Sequence, residues 1–141
     1  MTKLPDTKIM FLLWGDDLAT TLHSAELREA LGAAGAERLQ LNIDDEHVAP
    51  AMRIPTFAEP VGAIASVWTT GPVEDVVEVV SAAAERVAGW TVEERRPIPP
   101  EETWDGSRVD TLANVAVLRR PEELTHEEWL HRWRVDHTPI A

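Results

Sequence analysis

The residues best equipped for chemistry lie in the stretch Pro121–Ala141, PEELTHEEWLHRWRVDHTPIA. His137 leads them. Imidazole has an ordinary pKa of about 6.5, so a histidine can give and take a proton near neutral pH. With about 100° of turn per residue, His126, Trp129, Leu130, Trp133 and His137 share one helix face, and Glu127, Glu128, His131, Arg132 and Arg134 fall on the other. A histidine closing an aromatic face is placed for acid–base work; one that only caps the helix or hydrogen-bonds across a core fits the same spacing. Trp129 and Trp133 suit either core packing or stacking on a ligand. Arg119-Arg120 is the basic pair beside this helix, able to hold a carboxylate or enolate, or simply to be solvated.

Other chemistries find little support. His126 and His137 share a face but stand 11 residues apart, about 16 Å along a helix, too far to ligate one metal. His131 points the other way, and Asp44-Asp45-Glu46-His47 is expected to be a solvated turn. The chain has no Gly-rich phosphate loop, no Gly-x-Ser-x-Gly elbow and no dinucleotide fingerprint. Neither a metal nor a nucleotide cofactor is expected.

The helix that carries His137 is strongly started. Thr125 and Glu128 have capping-box spacing, and Leu124 and Trp129 have the spacing of a hydrophobic staple. Pro139 disfavours α geometry at Thr138, so the helix should end near His137. Before it, Leu112–Leu118 (LANVAVL) reads as a strand.

Arg119-Arg120-Pro121 followed by Thr125, Glu128-Trp129-Leu130, Trp133 and Asp136-His137-Thr138-Pro139 resembles the EthD-type branch of the dimeric α/β-barrel proteins. The branch's recurring pattern is an apolar strand, a short polar turn, and a helix carrying an aromatic, a Trp and then His-x-Pro. Arg38–Val48 (RLQLNIDDEHV) and Gly89–Pro97 (GWTVEERRP) resemble the first half of the same branch. The resemblance implies an apolar pocket between two packed sheets and cofactor-free chemistry of the cyclase, dehydratase, decarboxylase or oxygenase type on a small apolar or aromatic compound. In it His137 serves as acid or base, Trp129, Leu130 and Trp133 shape the pocket, and Arg119 binds an anion. The alternative is a non-catalytic module that binds a small molecule or serves in an assembly.

The remaining chain supplies the frame. Lys8–Trp14 (KIMFLLW) is a continuous apolar run, as expected of a central strand. Leu18–Ala34 has helical spacing and Gly35 as its stop; Leu39, Leu41 and Ile43 alternate with polar residues as in a half-buried strand. Pro50, Pro55 and Pro60 make 47–62 a loop. Ile64–Thr69 reads as a strand, Val73–Ala88 as a helix ended by Gly89, and Trp90–Arg96 as a fourth strand. Strand, helix, strand, strand, helix, strand is the ferredoxin-like α+β arrangement, an antiparallel sheet with helices on one face and the other face bare.

The organisation expected is therefore a βαββαβ unit over 1–98, a linker over 99–110, and the first strand and helix of a second, incomplete unit over 111–141. Phe11–Trp14 and Val115–Leu118 form a loose internal repeat at an offset of 104 positions. The second unit needs further strands after Ala141, so either the rest of a parent chain or a second copy is expected to complete it.

Composition narrows the partners. The net charge is −12, from 13 basic and 25 acidic side chains, which disfavours nucleic acid and anionic membranes. Residues 111–141 carry four basic and five acidic groups against nine and twenty in the rest, so an anionic substrate meets least repulsion near the C-terminal stretch. There is no cysteine and no signal core in Met1–Lys8, and no run of about 20 apolar residues to span a bilayer. A cytoplasmic protein is expected.

Overall fold

The computed structural model describes residues 7–55, 57–99 and 101–137. Strand β1 (Thr7–Trp14) leads to helices α1 (Leu18–Leu22) and α2 (Ala25–Ala33) and strand β2 (Ala36–Ile43). Strand β3 (Ala63–Thr69), helix α3 (Val73–Ser81) and strand β4 (Arg86–Val92) complete the sheet, and helix α4 (His126–His131) follows far downstream. The sheet order is β2-β3-β1-β4, and every neighbouring pair is antiparallel. The protein is thus α+β, with a four-stranded antiparallel sheet compatible with a ferredoxin-like unit. Its apolar run puts β1 in the interior of the sheet, between β3 and β4.

Strand pleating sends alternate residues to opposite faces. Ile9, Phe11 and Leu13 of β1 and Ala63, Ala65 and Val67 of β3 face Leu18, Leu22, Leu27, Leu31, Val76 and Val80 of the helices, forming one buried core. Met10, Leu12 and Trp14, with Ser66 and Trp68, belong to the far face.

Two helices differ from their expected extents. The helix expected over Leu18–Ala34 breaks in two at Ser24. Its hydroxyl donates to the Thr21 carbonyl (2.7 Å) and accepts from the Leu27 N–H (3.2 Å), ending α1 and capping α2. Serine offers the backbone such local alternatives to a continuous helix. Gly35 does follow the end of α2, at φ +93°, in the left-handed region. The helix expected over Val73–Ala88 stops at Ser81, and Gly89 lies inside β4 opposite Phe11. Pairing of Val87 and Ala88 with Leu13 and Leu12 outweighs the helical spacing of these small apolar residues. The strand expected over Trp90–Arg96 accordingly shifts to Arg86–Val92, which releases Glu94 and Arg96 from the sheet.

The far face is not bare, contrary to expectation. The proline-containing loop folds over one end of it. Phe57 meets Trp14 edge-on, with ring centroids 5.5 Å apart, and the Trp14 indole donates to the Glu59 carbonyl (3.0 Å). Arg53 organises that loop, donating to Asp44 (2.9 Å from Nε) and to the carbonyls of Val48, Ala49 and Ala51. The opposite end is covered by the segment expected as a linker, through Trp104 packed edge-on against Trp68 at 5.6 Å. Trp14 and Trp68 are buried as a result, while Trp90 remains 53% exposed.

Leu112–Leu118 carries no strand pairing. Leu112, Val115, Val117 and Leu118 are all exposed. A single segment outside helix and sheet cannot satisfy its own backbone, and the described residues offer it no strand partner.

Candidate functional site

Thr125 builds the start of α4 as its spacing requires. The Glu128 N–H donates to Thr125 Oγ1 (3.1 Å), and the Thr125 N–H donates to Glu128 Oε2 (2.8 Å). The Thr125 backbone N–H, then its hydroxyl, hold the Glu128 carboxyl below its ordinary value. Beyond His131 the helix widens into π-type turns over Arg132–His137. The helical run is described as far as His137; Thr138 and Pro139, with the expected helix stop, lie outside the described residues.

Within this run the structure brings Trp133 and His137 together. Their rings stack at 4.7 Å with 17° between planes, as neighbours four residues apart on a helix can. Both are exposed, so the imidazole is open to water with one face lying on an indole. Trp129 and Leu130 are half-buried. Arg134 anchors the helix to the end of the sheet through Glu93 (3.5 Å). Arg119 turns instead to Glu122, 3.9 Å away, with both side chains nearly fully exposed. Arg120 donates to the Leu124 carbonyl and so helps hold the turn before α4.

Among the described residues there is one sheet, so they form no pocket enclosed between two sheets. A surface depression lies along Thr125, Glu128, His131, Arg132 and Asp136 and includes none of the aromatic face. A smaller apolar cleft of about 140 Å³ opens between α3 and β4, with Ile9 and Phe11, Val77 and Trp90 in its lining. Among the described residues no group of three or more His, Cys, Asp or Glu gathers as metal ligands, and no helix is long and apolar enough to cross a membrane.

A second concentration of chemistry lies on the far face and was not anticipated. Glu94 accepts hydrogen bonds from Trp68 Nε1 (2.9 Å), Arg96 Nε (3.0 Å) and Lys8 Nζ (3.2 Å). Burial pushes its carboxyl up, but these three donors outweigh burial and hold it below its ordinary value. Arg96 reaches on to Glu102, which lies 4.0 Å from Arg38. Lys8 lies over the Trp68 ring at 4.6 Å and Arg38 over the Trp104 ring at 5.1 Å. The one signal in the sequence was Glu94, Arg96, Glu102 and Trp104 following one another at short intervals. Charges at a strand end and in a proline-containing stretch ordinarily mean solvation.

No protein-family model matches the chain, and no curated protein matches it significantly.

Proposed function

We propose that this chain is an EthD-like α/β-barrel protein that performs cofactor-free acid–base chemistry on a small apolar or aromatic compound. The observation that carries the reading is the Trp133–His137 stack at the end of a capped helix. A proton-transfer group that is open to water and backed by an aromatic plane suits a flat substrate, which can lie against the remaining aromatic surface. His137 acts as acid or base; Trp129, Leu130 and Trp133 shape the pocket; Arg119, whose exposed partner holds it only weakly, supplies the anion contact. In this reading residues 1–98 form the first unit, 99–110 the connection, and 111–141 the start of a second unit completed by another polypeptide or another copy.

The second reading is a non-catalytic binding or assembly module. The exposed apolar side chains of Val109, Leu112, Val115, Val117 and Leu118 favour it, because such a run is ordinarily covered by a partner. The deciding experiment screens a panel of phenolic and polyketide-like compounds by absorbance and by ligand-observed NMR, against the wild type and His137→Gln. The enzyme reading expects turnover that the substitution abolishes with binding retained. Binding without turnover in both proteins selects the module, and turnover at the wild-type rate in His137→Gln overturns the assignment of His137.

A further inference from the structure

The described residues of the segment that crosses the far face are attached to it through side chains. Among the described residues, no backbone–backbone hydrogen bond ties residues 93–99 or 101–108 to the sheet. Its attachments begin at Glu94, bound to Lys8 of β1 and Trp68 of β3. They continue at Glu102 and Trp104, set against Arg38 of β2 and Trp68. They end at Arg108, paired with Asp45 just beyond β2. The segment therefore spans the sheet from one edge to the other. The charged side chains of the Glu94 and Glu102 pairs are roughly a fifth to a quarter exposed. Ion pairs in such partly wet surroundings are individually weak and gain their effect as a network. A chain segment without backbone bonding to its neighbours opens at a fraction of the cost of unfolding the sheet beneath it.

We propose that residues 94–99 and 101–108 form a releasable clasp, latched by Glu94 and Trp104, that covers and uncovers Trp68 while the sheet stays folded. Trp68 is the largest fully buried side chain of the far face, overlain by Lys8 of β1 and packed edge-on by Trp104 of the clasp. On β1, Lys8 stands opposite Trp68 and Met10 stands opposite the exposed Trp90. Opening thus joins Trp68 to the Met10–Trp90 surface and lengthens the apolar strip that the far face presents. The inference stands on the clasp's own contacts and is independent of the role of His137.

The Trp68 indole N–H reports directly on the latch, because it donates to Glu94. The Trp14 indole N–H, held by the Glu59 carbonyl under the other covering loop, is an internal reference. We would measure water exchange of both indole protons by NMR on the full chain, assigning Trp68 by its loss in Trp68→Phe. Exchange at Trp68 is expected to accelerate about tenfold or more in Glu94→Gln, the scale of weakening a hydrogen bond to a charged acceptor. It is also expected to accelerate in Trp104→Ala, which leaves the Glu94 bond itself intact, and in high salt. The Trp14 proton and the amides of β1 and β3 should keep their wild-type rates. A Trp68 proton unmoved by both substitutions would overturn the clasp, and so would equal acceleration of Trp14, which would mean general loosening.

Discussion

At the scale of single residues, Gly89 shows how little room separates β4 from the core. A Cβ there would stand 2.7 Å from Phe11 Cδ1 and 2.9 Å from Cε1, against a ring that is 1% exposed. Gly89→Ala must displace that ring into packed surroundings and should cost about 1–3 kcal/mol. A urea titration checks it, the midpoint falling with an unchanged slope; an unshifted midpoint would mean the ring turns aside freely. Glu94 makes a second, pH-dependent prediction. Its folded pKa is lowered, so its contribution to closing the clasp is complete above the ordinary carboxylate range and is lost as pH falls through the lowered value. The groups facing it are Lys8, Trp68 and Arg96, with Glu102 and Arg38 beyond. The indole shift of Trp68 should therefore show an acid limb that Glu94→Gln removes. A limb persisting in the variant would assign it to another carboxylate.

At the scale of elements, α4 depends on its cap more than on burial, since no residue of it is fully buried. Thr125→Ala removes one half of the capping box and leaves the Glu128 N–H without its side-chain acceptor. Cα chemical shifts over 126–137 should move toward random-coil values in that variant while those of β1 and β3 stay fixed. The lowered Glu128 carboxyl adds a sign: its part in the cap is present above the ordinary carboxylate range and fades as pH falls through its lowered value. Wild-type helical shifts retained in Thr125→Ala would show that the Glu93–Arg134 tether, not the cap, holds the helix. The Trp133–His137 stack is built on this element, so loss of the cap should also separate those rings.

At the scale of the molecule, the exposed apolar side chains of Val109, Leu112, Val115, Val117 and Leu118 call for a partner surface. Light scattering behind size-exclusion chromatography is expected to show a dimer or larger species. Its proportion should rise with ionic strength, because 12 net negative charges per copy repel and salt screens them. A monomer at every salt concentration, with its tryptophans protected from quencher, would sink the assembly proposal.

The sequence by itself determined the local features. The alternation of Leu39, Leu41 and Ile43, the apolar run of β1 and the Thr125–Glu128 spacing each encode their element within a few residues, and each is found where it was read. Only the tertiary structure decided where α3 stops, because Val87 and Ala88 continue the helical reading until Leu13 and Leu12 pair with them. Only the tertiary structure covered the far face. Glu94 finds Lys8 across 86 positions and Trp68 across 26, and Arg108 finds Asp45 across 63. Hydrophobic periodicity reports which way a side chain points within its own element. It carries no information on which distant charge will stand opposite once the chain has folded back, and that is where the clasp is made.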